Sequence, residues 1–219
     1  MKTAAIIPAL NEYQHLSAVV EQAARYVDNV IVVDDGSRQP LENFLPNHQY
    51  LHVLRHRINL GKGAALKTGV QYAAVLGVAI VVFLDADGQH DASEIPKILA
   101  PLLEGRSDVV FGVRKFHGTM PLTAKIGNVF LTLSLQVLYG VTVSDTQSGY
   151  RAFRMAVYPS LQWESARYSV ETEMIVNAGK AHLSFTEVPI TTIYLDKYRG
   201  TTFIDGIRIF LNMLLWRFL

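Results

Sequence analysis

Two carboxylates and an amide close an apolar run in Phe83-Leu84-Asp85-Ala86-Asp87-Gly88-Gln89. Ala79 to Leu84 reads as a buried strand, and residues i and i+2 at a strand end point to the same side. Asp85, Asp87 and Gln89 can therefore converge as hard oxygen ligands, a set that suits Mg²⁺ or Mn²⁺ rather than zinc. A divalent ion held by so few protein oxygens keeps open positions, which phosphates usually fill. Asp-Gly is also a common turn pair, so the same residues can simply end the strand. A second stretch, Asn59-Leu60-Gly61-Lys62-Gly63 running on to Gly69, is neither a Walker A loop nor a dinucleotide fingerprint. No Gly-Lys-Ser/Thr stands at the required spacing, and Leu66 occupies the place of the third glycine. Backbone N–H groups at a helix start there can take an anion, with Lys62 adding charge, or the glycines can merely form a tight turn.

The elements that must position these residues alternate between strand and helix. Thr3–Ile7 is predicted as a strand, with Asn11 and Glu12 opening a helix to about Tyr26. Strands at Asn29–Val33, Leu51–Arg55 and Ala79–Leu84 follow, with a helix from Gly61 to Leu76 before the last of them. Asp34 and Asp35 stand at the end of the second strand. A further helix starts near Ser93, with Pro96 in its permissive first turn and Pro101 placed to kink or shorten it. Asp108–Phe111 is the fifth strand. This order predicts an α/β fold with a mostly parallel central sheet, helices on both faces, and ligands at the carboxyl ends of the strands. Asn11 and Glu12, Asp34 and Asp35, and Asp85 and Asp87 all fall at those ends. In the second half, Tyr150–Arg154 reads as a strand, Val141–Val143 as strand-like, Tyr168–Lys180 as a helix, and His182–Leu195 as an extended piece containing Pro189. No repeat or linker divides the chain.

Composition narrows the chemistry. In 219 residues the net charge is +1, which offers no electrostatic footprint for nucleic acid. The absence of cysteine excludes disulfides, thiolate zinc sites and a cysteine nucleophile. The N-terminus carries no signal-peptide pattern. Ile126 to Ser144 is uncharged, but Asn128, Gln136, Gly140 and several Ser/Thr break it up, so it reads as a buried or interfacial helix rather than a span. Between Thr201 and Leu219, apolar residues recur at helical spacing on a face wider than packing needs. This suits a helix lying in a membrane interface, or one packed in a dimer or core.

Taken in order, five stretches resemble family 2 glycosyltransferases of the GT-A fold, in the dolichol-phosphate mannosyltransferase-like branch. They are Ile6-Ile7-Pro8-Ala9-Leu10-Asn11-Glu12, Val32-Val33-Asp34-Asp35-Gly36-Ser37, Asn59 to Gly63, Asp85 to His90, and Asp145-Thr146-Gln147-Ser148-Gly149-Tyr150-Arg151. The resemblance implies a single Rossmann-like GT-A domain over residues 1–200, with a C-terminal amphipathic helix over 201–219. It also implies a metal-dependent, inverting transfer from a nucleotide-sugar donor to a polyprenyl (dolichyl or undecaprenyl) phosphate, for cell-envelope glycan or glycoprotein synthesis. Donor binding then falls to Pro8, Leu10, Glu12, Val33, Asp35, Lys62, Asp85 and Ala86, and the Mg²⁺ or Mn²⁺ to Asp85, Asp87 and Gln89. Asp87, Arg114 and Asp145 become the catalytic candidates; Arg114, Lys125 and Arg151 become the acceptor-phosphate candidates. Val113 stands where the family carries serine before the arginine, and Lys125 is only the nearest cation to a missing second arginine. Glu171 and Glu173 fit the family's acidic helix start; two residues apart, only one of them should face the site.

The chemistry is coherent by itself. A leaving nucleoside diphosphate builds charge that a metal stabilises. A hydroxyl acceptor needs a general base, whereas a phosphate monoester already offers an anionic oxygen near neutral pH. Asp145 can orient the sugar or act as a base. The basic residues Lys197, Arg199, Arg208 and Arg217 beside an apolar helix suit an anionic bilayer, so the expected location is peripheral on the cytoplasmic face of the membrane. Many relatives of this kind carry transmembrane helices after this point, so the chain is either a peripheral enzyme or one cut before an anchor. The alternatives are a family 2 enzyme acting on a saccharide hydroxyl, a nucleotidyltransferase, and a non-catalytic nucleotide-sugar-binding protein. The nucleotidyltransferase would need a glycine-rich basic loop after the first strand, where Pro8-Ala9-Leu10-Asn11 stands.

Overall fold

Alternate side chains of the first strand, β1 (Thr3–Ala9), enter two separate cores, Ala4 and Ile6 on one face and Ala5, Ile7 and Ala9 on the other. A strand apolar on both faces must be covered on both, which requires a three-layer arrangement. The computed structural model describes residues 1–114, 122–166, 169–191, 193 and 203–218, with the backbone only for 122–126 and 203–205. β1, β2 (Asn29–Asp34), β3 (Leu51–Arg55), β4 (Ile80–Phe83), β5 (Val109–Arg114), β6 (Arg151–Arg154) and β7 (Phe185–Ile190) form one sheet in the order β3-β2-β1-β4-β6-β5-β7. Four of the six strand pairings are parallel; β6 runs antiparallel to both β4 and β5. Helices α1 (Leu16–Ala23) and α3 (Ile95–Leu103) cover one face. The other face carries α2 (Lys62–Val75), α4 (Leu122–Tyr139), α5 (Tyr158–Leu161), α6 (Val170–Lys180) and α7 (Phe203–Phe218).

This topology collects one edge. The carboxyl ends of β1, β2, β4 and β5 all point to it, and antiparallel β6 begins there, with Arg151 paired to Phe83. The loop before β6, which carries Asp145 to Tyr150, is thereby delivered beside Asp85. The alternation rule predicted the parallel strands, and antiparallel β6 is what brings a fifth chain segment to the same edge.

Several boundaries differ from those expected. Asn11 and Glu12 do not open a helix: Asn11 takes a left-handed backbone (φ 54°), and α1 starts only at Leu16. Asn11 instead ties two strand exits together, its N–H donating to Ser37 Oγ (2.8 Å) and its Oδ1 accepting from the Arg38 N–H (2.9 Å). Asp91, not Ser93, caps the turn leading into α3, accepting from the Ser93 N–H. Pro101 lies inside α3, which runs on to Leu103 and turns out at Gly105 (φ 74°). Val141–Val143 is no strand; its valines are buried in the core from an irregular segment. Pro189 sits in β7, an edge strand, where its missing N–H is tolerated.

Candidate active site

A cleft of about 450 Å³ opens at the collected edge, lined by Pro8, Leu10, Glu12, Asp35, Lys62, Asp85, Ala86 and Asp87 together with Ala9, Asn59 and Gly61. Every donor-side residue expected from the sequence except Val33 is in that lining. Val33 is a correction. Its side chain is buried in the core, turned toward α2 by the same two-residue alternation that puts Asp34 on the other face. Asp35 lines the cleft while holding the glycine-rich loop. Its Oδ1 accepts from His56 Nδ1 (2.7 Å) and the Leu60 N–H (2.9 Å), and its Oδ2 from the Gly61 N–H (2.8 Å). Gly61 itself sits at φ 100°, a backbone that only glycine adopts freely, and it launches α2 so that Lys62 faces the cleft.

Lys62 lies between two carboxylates, Asp85 Oδ1 at 2.6 Å and Glu171 Oε1 at 2.9 Å. Burial works against its charge, but Asp85 and Glu171 outweigh that and raise its pKa above the ordinary lysine value. Burial alone would likewise raise Asp85, yet the Lys62 ammonium, helped by Arg114, holds it down at about 2. Asp87 moves the other way, pushed up by burial first and by the negative charge of Asp85 second. The His90 Nδ1 accepts the Asp85 N–H (3.2 Å), which puts the neutral ring's proton on Nε2, 3.8 Å from Asp85 Oδ2; the ring stacks on Tyr150. Burial lowers the pKa of His90, so it serves Asp85 as a neutral prop. Gly149 closes over this group: a Cβ there would lie 2.8 Å from Lys62 Nζ and 2.9 Å from Asp85 Oδ2. Of the two acidic residues at the start of α6, Glu171 faces Lys62, while Glu173 accepts the N–H groups of Glu164 (2.8 Å) and Ser165 (2.9 Å).

Arg114, at the end of β5, meets Asp145 in a two-pronged pair, Nε to Oδ2 at 2.6 Å and Nη2 to Oδ1 at 2.9 Å. The Arg114 N–H and the Gln147 N–H also donate to the same carboxylate. Asp145 is fully buried, and the bonds and charge of Arg114 overcome burial to hold its carboxyl below the ordinary aspartate range. Both oxygens of Asp145 are thus engaged, and the carboxylate holds the Arg114 guanidinium in place. Arg151 is also a correction. It is 1% exposed, and its guanidinium donates to the carbonyls of Ser148 (2.9 Å), Thr146 (3.0 Å) and Glu171, over the ring of Phe111. It knits the loop before β6 to α6, its guanidinium being engaged by backbone carbonyls. Arg151→Met is expected to cost about 3 kcal/mol of unfolding free energy by leaving buried carbonyls unpaired, read as a lower urea midpoint. A variant as stable as the wild type would refute that role. Gln89 is half-buried outside the cleft lining; its N–H donates to Asp87 Oδ1 (3.1 Å) and its carbonyl accepts from Ile193. Lys125 lies in the first turn of α4, and its side chain is outside the described residues.

The sequence reading missed three supports. His56 bridges Asp35 and Thr68, Asn128 Oδ1 receives the N–H and hydroxyl of Thr146, and Trp163 Nε1 donates to the Gly63 carbonyl (2.9 Å). Each joins segments distant in sequence, and no local motif announces them.

The family model described as Glycosyl transferase family 2 matches residues 4–161, a span that includes the cleft lining and the Arg114–Asp145 pair. The chain belongs to glycosyltransferase family 2. Among similar proteins is the UDP-N-acetylglucosamine–dolichyl-phosphate N-acetylglucosaminyltransferase of Methanococcus voltae, 35% identical over 96% of this chain and 94% of that one. Another is the undecaprenyl-phosphate mannosyltransferase of Micrococcus luteus, 26% identical over 94% of this chain and 88% of its relative. In fold, the chain resembles glucosyl-3-phosphoglycerate synthase of Mycobacterium tuberculosis, solved with Mn²⁺, UDP-glucose and phosphoglyceric acid. The TM-score is 0.75 at 20% identity, covering 99% of this chain and 79% of that one. The protein is thus a glycosyltransferase of the GT-A fold.

The donor set of this glycosyltransferase fits a hard divalent cation. Asp85 and Asp87 are close enough for the charge of one to raise the pKa of the other, and Gly149 leaves the space beside Asp85 that a Cβ would fill. Among the described residues no cluster of three His, Asp or Glu is preassembled. That matches an ion taken by one or two carboxylates and completed by substrate phosphates.

Proposed function

We propose that this family 2 glycosyltransferase moves a sugar, with inversion, from a nucleotide-sugar donor to a polyprenyl phosphate. Pro8, Leu10, Glu12 and Asp35 hold the base and ribose; Lys62, Asp85 and Ala86 lie along the diphosphate; Asp85, Asp87 and Gln89 hold Mg²⁺ or Mn²⁺. When bound, the ion would supply Lewis-acid stabilisation to the leaving diphosphate. Arg114 and Lys125 meet the acceptor phosphate. The observation that carries the acceptor assignment is the Arg114–Asp145 pair. The candidate base is buried, ionised and engaged on both oxygens. A hydroxyl acceptor would need a base, whereas a phosphate monoester, already anionic, needs an oriented cation. The names of the relatives from Methanococcus voltae and Micrococcus luteus support the same acceptor class, and the Mn²⁺ and UDP-glucose bound to the enzyme of similar fold support the donor side.

A lipid acceptor calls for a membrane-facing surface, and the exposed apolar side of α7 supports one there. Ile207, Leu211, Leu215 and Phe218 are exposed along one side of it, while Ile209 and Met213 pack inward. α4, against which α7 lies through Phe130 and Phe210, exposes Val129, Leu133 and Val137. With Arg208 and Arg217 exposed alongside, residues 201–219 act as the bilayer contact of a catalytic unit spanning 1–200, on the cytoplasmic face. No helix among the described residues is long and apolar enough to cross a membrane. A thermal-shift panel of nucleotide sugars with Mn²⁺ tests the donor half, since a true donor at about 100 Kd adds ~2.7 kcal/mol. A panel in which no nucleotide sugar stabilises the protein would count against this reading.

A further inference from the structure

Four carboxylate oxygens surround Lys62, and one of them has no partner. Asp85 Oδ1 and Glu171 Oε1 contact Nζ, and Oδ2 of Asp85 faces His90. Glu171 is 5% exposed, yet its Oε2 is buried without any hydrogen bond. Such an oxygen is costly to bury, and its retention calls for a second use. An ammonium carries three N–H donors and can sit across both oxygens of one carboxylate. Glu171 thus offers Lys62 a second seat, on the α6 side, that the one-oxygen contact leaves untaken. On the other side, the ammonium occupies an oxygen of Asp85, half of the Asp85-x-Asp87 pair. Because residue 149 is glycine, no Cβ at that position crowds Nζ and Asp85.

We propose that Lys62 is a displaceable internal cation of the donor site, neutralising Asp85 until a divalent ion arrives, and that Glu171 receives the ammonium this ion pushes away. The inference rests on Asp85 and Asp87 being the cation ligands. Two cations cannot share one carboxylate oxygen without strong repulsion. A lysine tied to Asp85 alone would therefore block the ion, and a lysine with a second seat only competes with it. Glu171 is then a positioning residue that acts through Lys62.

Mn²⁺ binding by the full chain without nucleotide sugar, read from the paramagnetic resonance of free Mn²⁺, tests this. Lys62→Met is expected to bind Mn²⁺ on the order of tenfold more tightly than wild type, because a competing charge is gone. Glu171→Gln is expected to bind it more weakly, since the displaced ammonium loses its seat. In the Lys62→Met background the same Glu171→Gln change should alter affinity less than about twofold. Lys62→Gln repeats the comparison if Lys62→Met fails to fold by circular dichroism. Equal or weaker binding by the Lys62 variants overturns the proposal. So does a Glu171→Gln effect that persists undiminished without Lys62, which would make it a simple through-space charge. Asp87→Asn separates the two levels: if it binds Mn²⁺ as wild type does, the cation site itself is misassigned and the inference falls with it.

Discussion

Asp87→Asn is expected to lower turnover on the order of 10³-fold while the protein stays folded. The substitution isolates chemistry from architecture. Asp87 lies in the turn after β4, where the Gln89 N–H donates to its Oδ1, and an asparagine oxygen can accept that bond equally well. What asparagine removes is the charge that a divalent ion and its diphosphate require. The same variant decides between the two readings of Asp-x-Asp-Gly. If those aspartates only terminate a strand, Asp87→Asn keeps full kcat. Steady-state kinetics beside a thermal melt give the answer, and a loss of activity that tracked a loss of folding would leave the turn reading standing.

Arg114→Lys is expected to lose nearly as much activity as Arg114→Ala, on the order of 10²-fold. Lysine carries the charge but not the planar fork that meets both oxygens of Asp145. Full activity in Arg114→Lys would show that any cation suffices at the end of β5. Asp145 adds a pH signature. Its folded carboxyl titrates below the unfolded value, so the unfolded chain takes up the proton first. The stability it contributes is therefore complete above about pH 4 and is lost as pH falls through the lower folded value. The stability deficit of Asp145→Asn should accordingly shrink between pH 5 and pH 3, each value being approximate. A deficit independent of pH would mean that the charge of Asp145 contributes nothing.

The cleft was legible in the sequence because parallel strands all deliver their carboxyl ends to one edge. Pro8 to Glu12, Asp35 and Asp85 to Asp87 each sit just past an apolar run, and the strand-helix alternation alone places them together. The Arg114–Asp145 pair was legible only as two separate candidates. Antiparallel β6 creates their contact, and neither the direction of that strand nor its insertion between β4 and β5 is encoded in a local period. Arg151 shows the reverse failure. A lone arginine next to a motif looks like a phosphate ligand, yet here it is engaged by two carbonyls of an irregular loop and one of α6. The start of α1 was misplaced because Asn11 joins two strand exits instead of capping a helix, while Glu12 accepts the N–H of His15, just before the helix begins.

The transfer itself is the most direct test. Purified protein would be incubated with Mn²⁺, a nucleotide sugar that stabilises it, and either undecaprenyl or dolichyl phosphate in detergent or a saccharide acceptor, with products resolved by mass spectrometry. The expected result is a sugar-monophosphate lipid of inverted anomeric configuration, formed by the wild type, lost with chelator and with Asp87→Asn, and absent with the saccharide. Transfer to a saccharide hydroxyl, with no glycolipid from either polyprenyl phosphate, would contradict the acceptor assigned to this cleft.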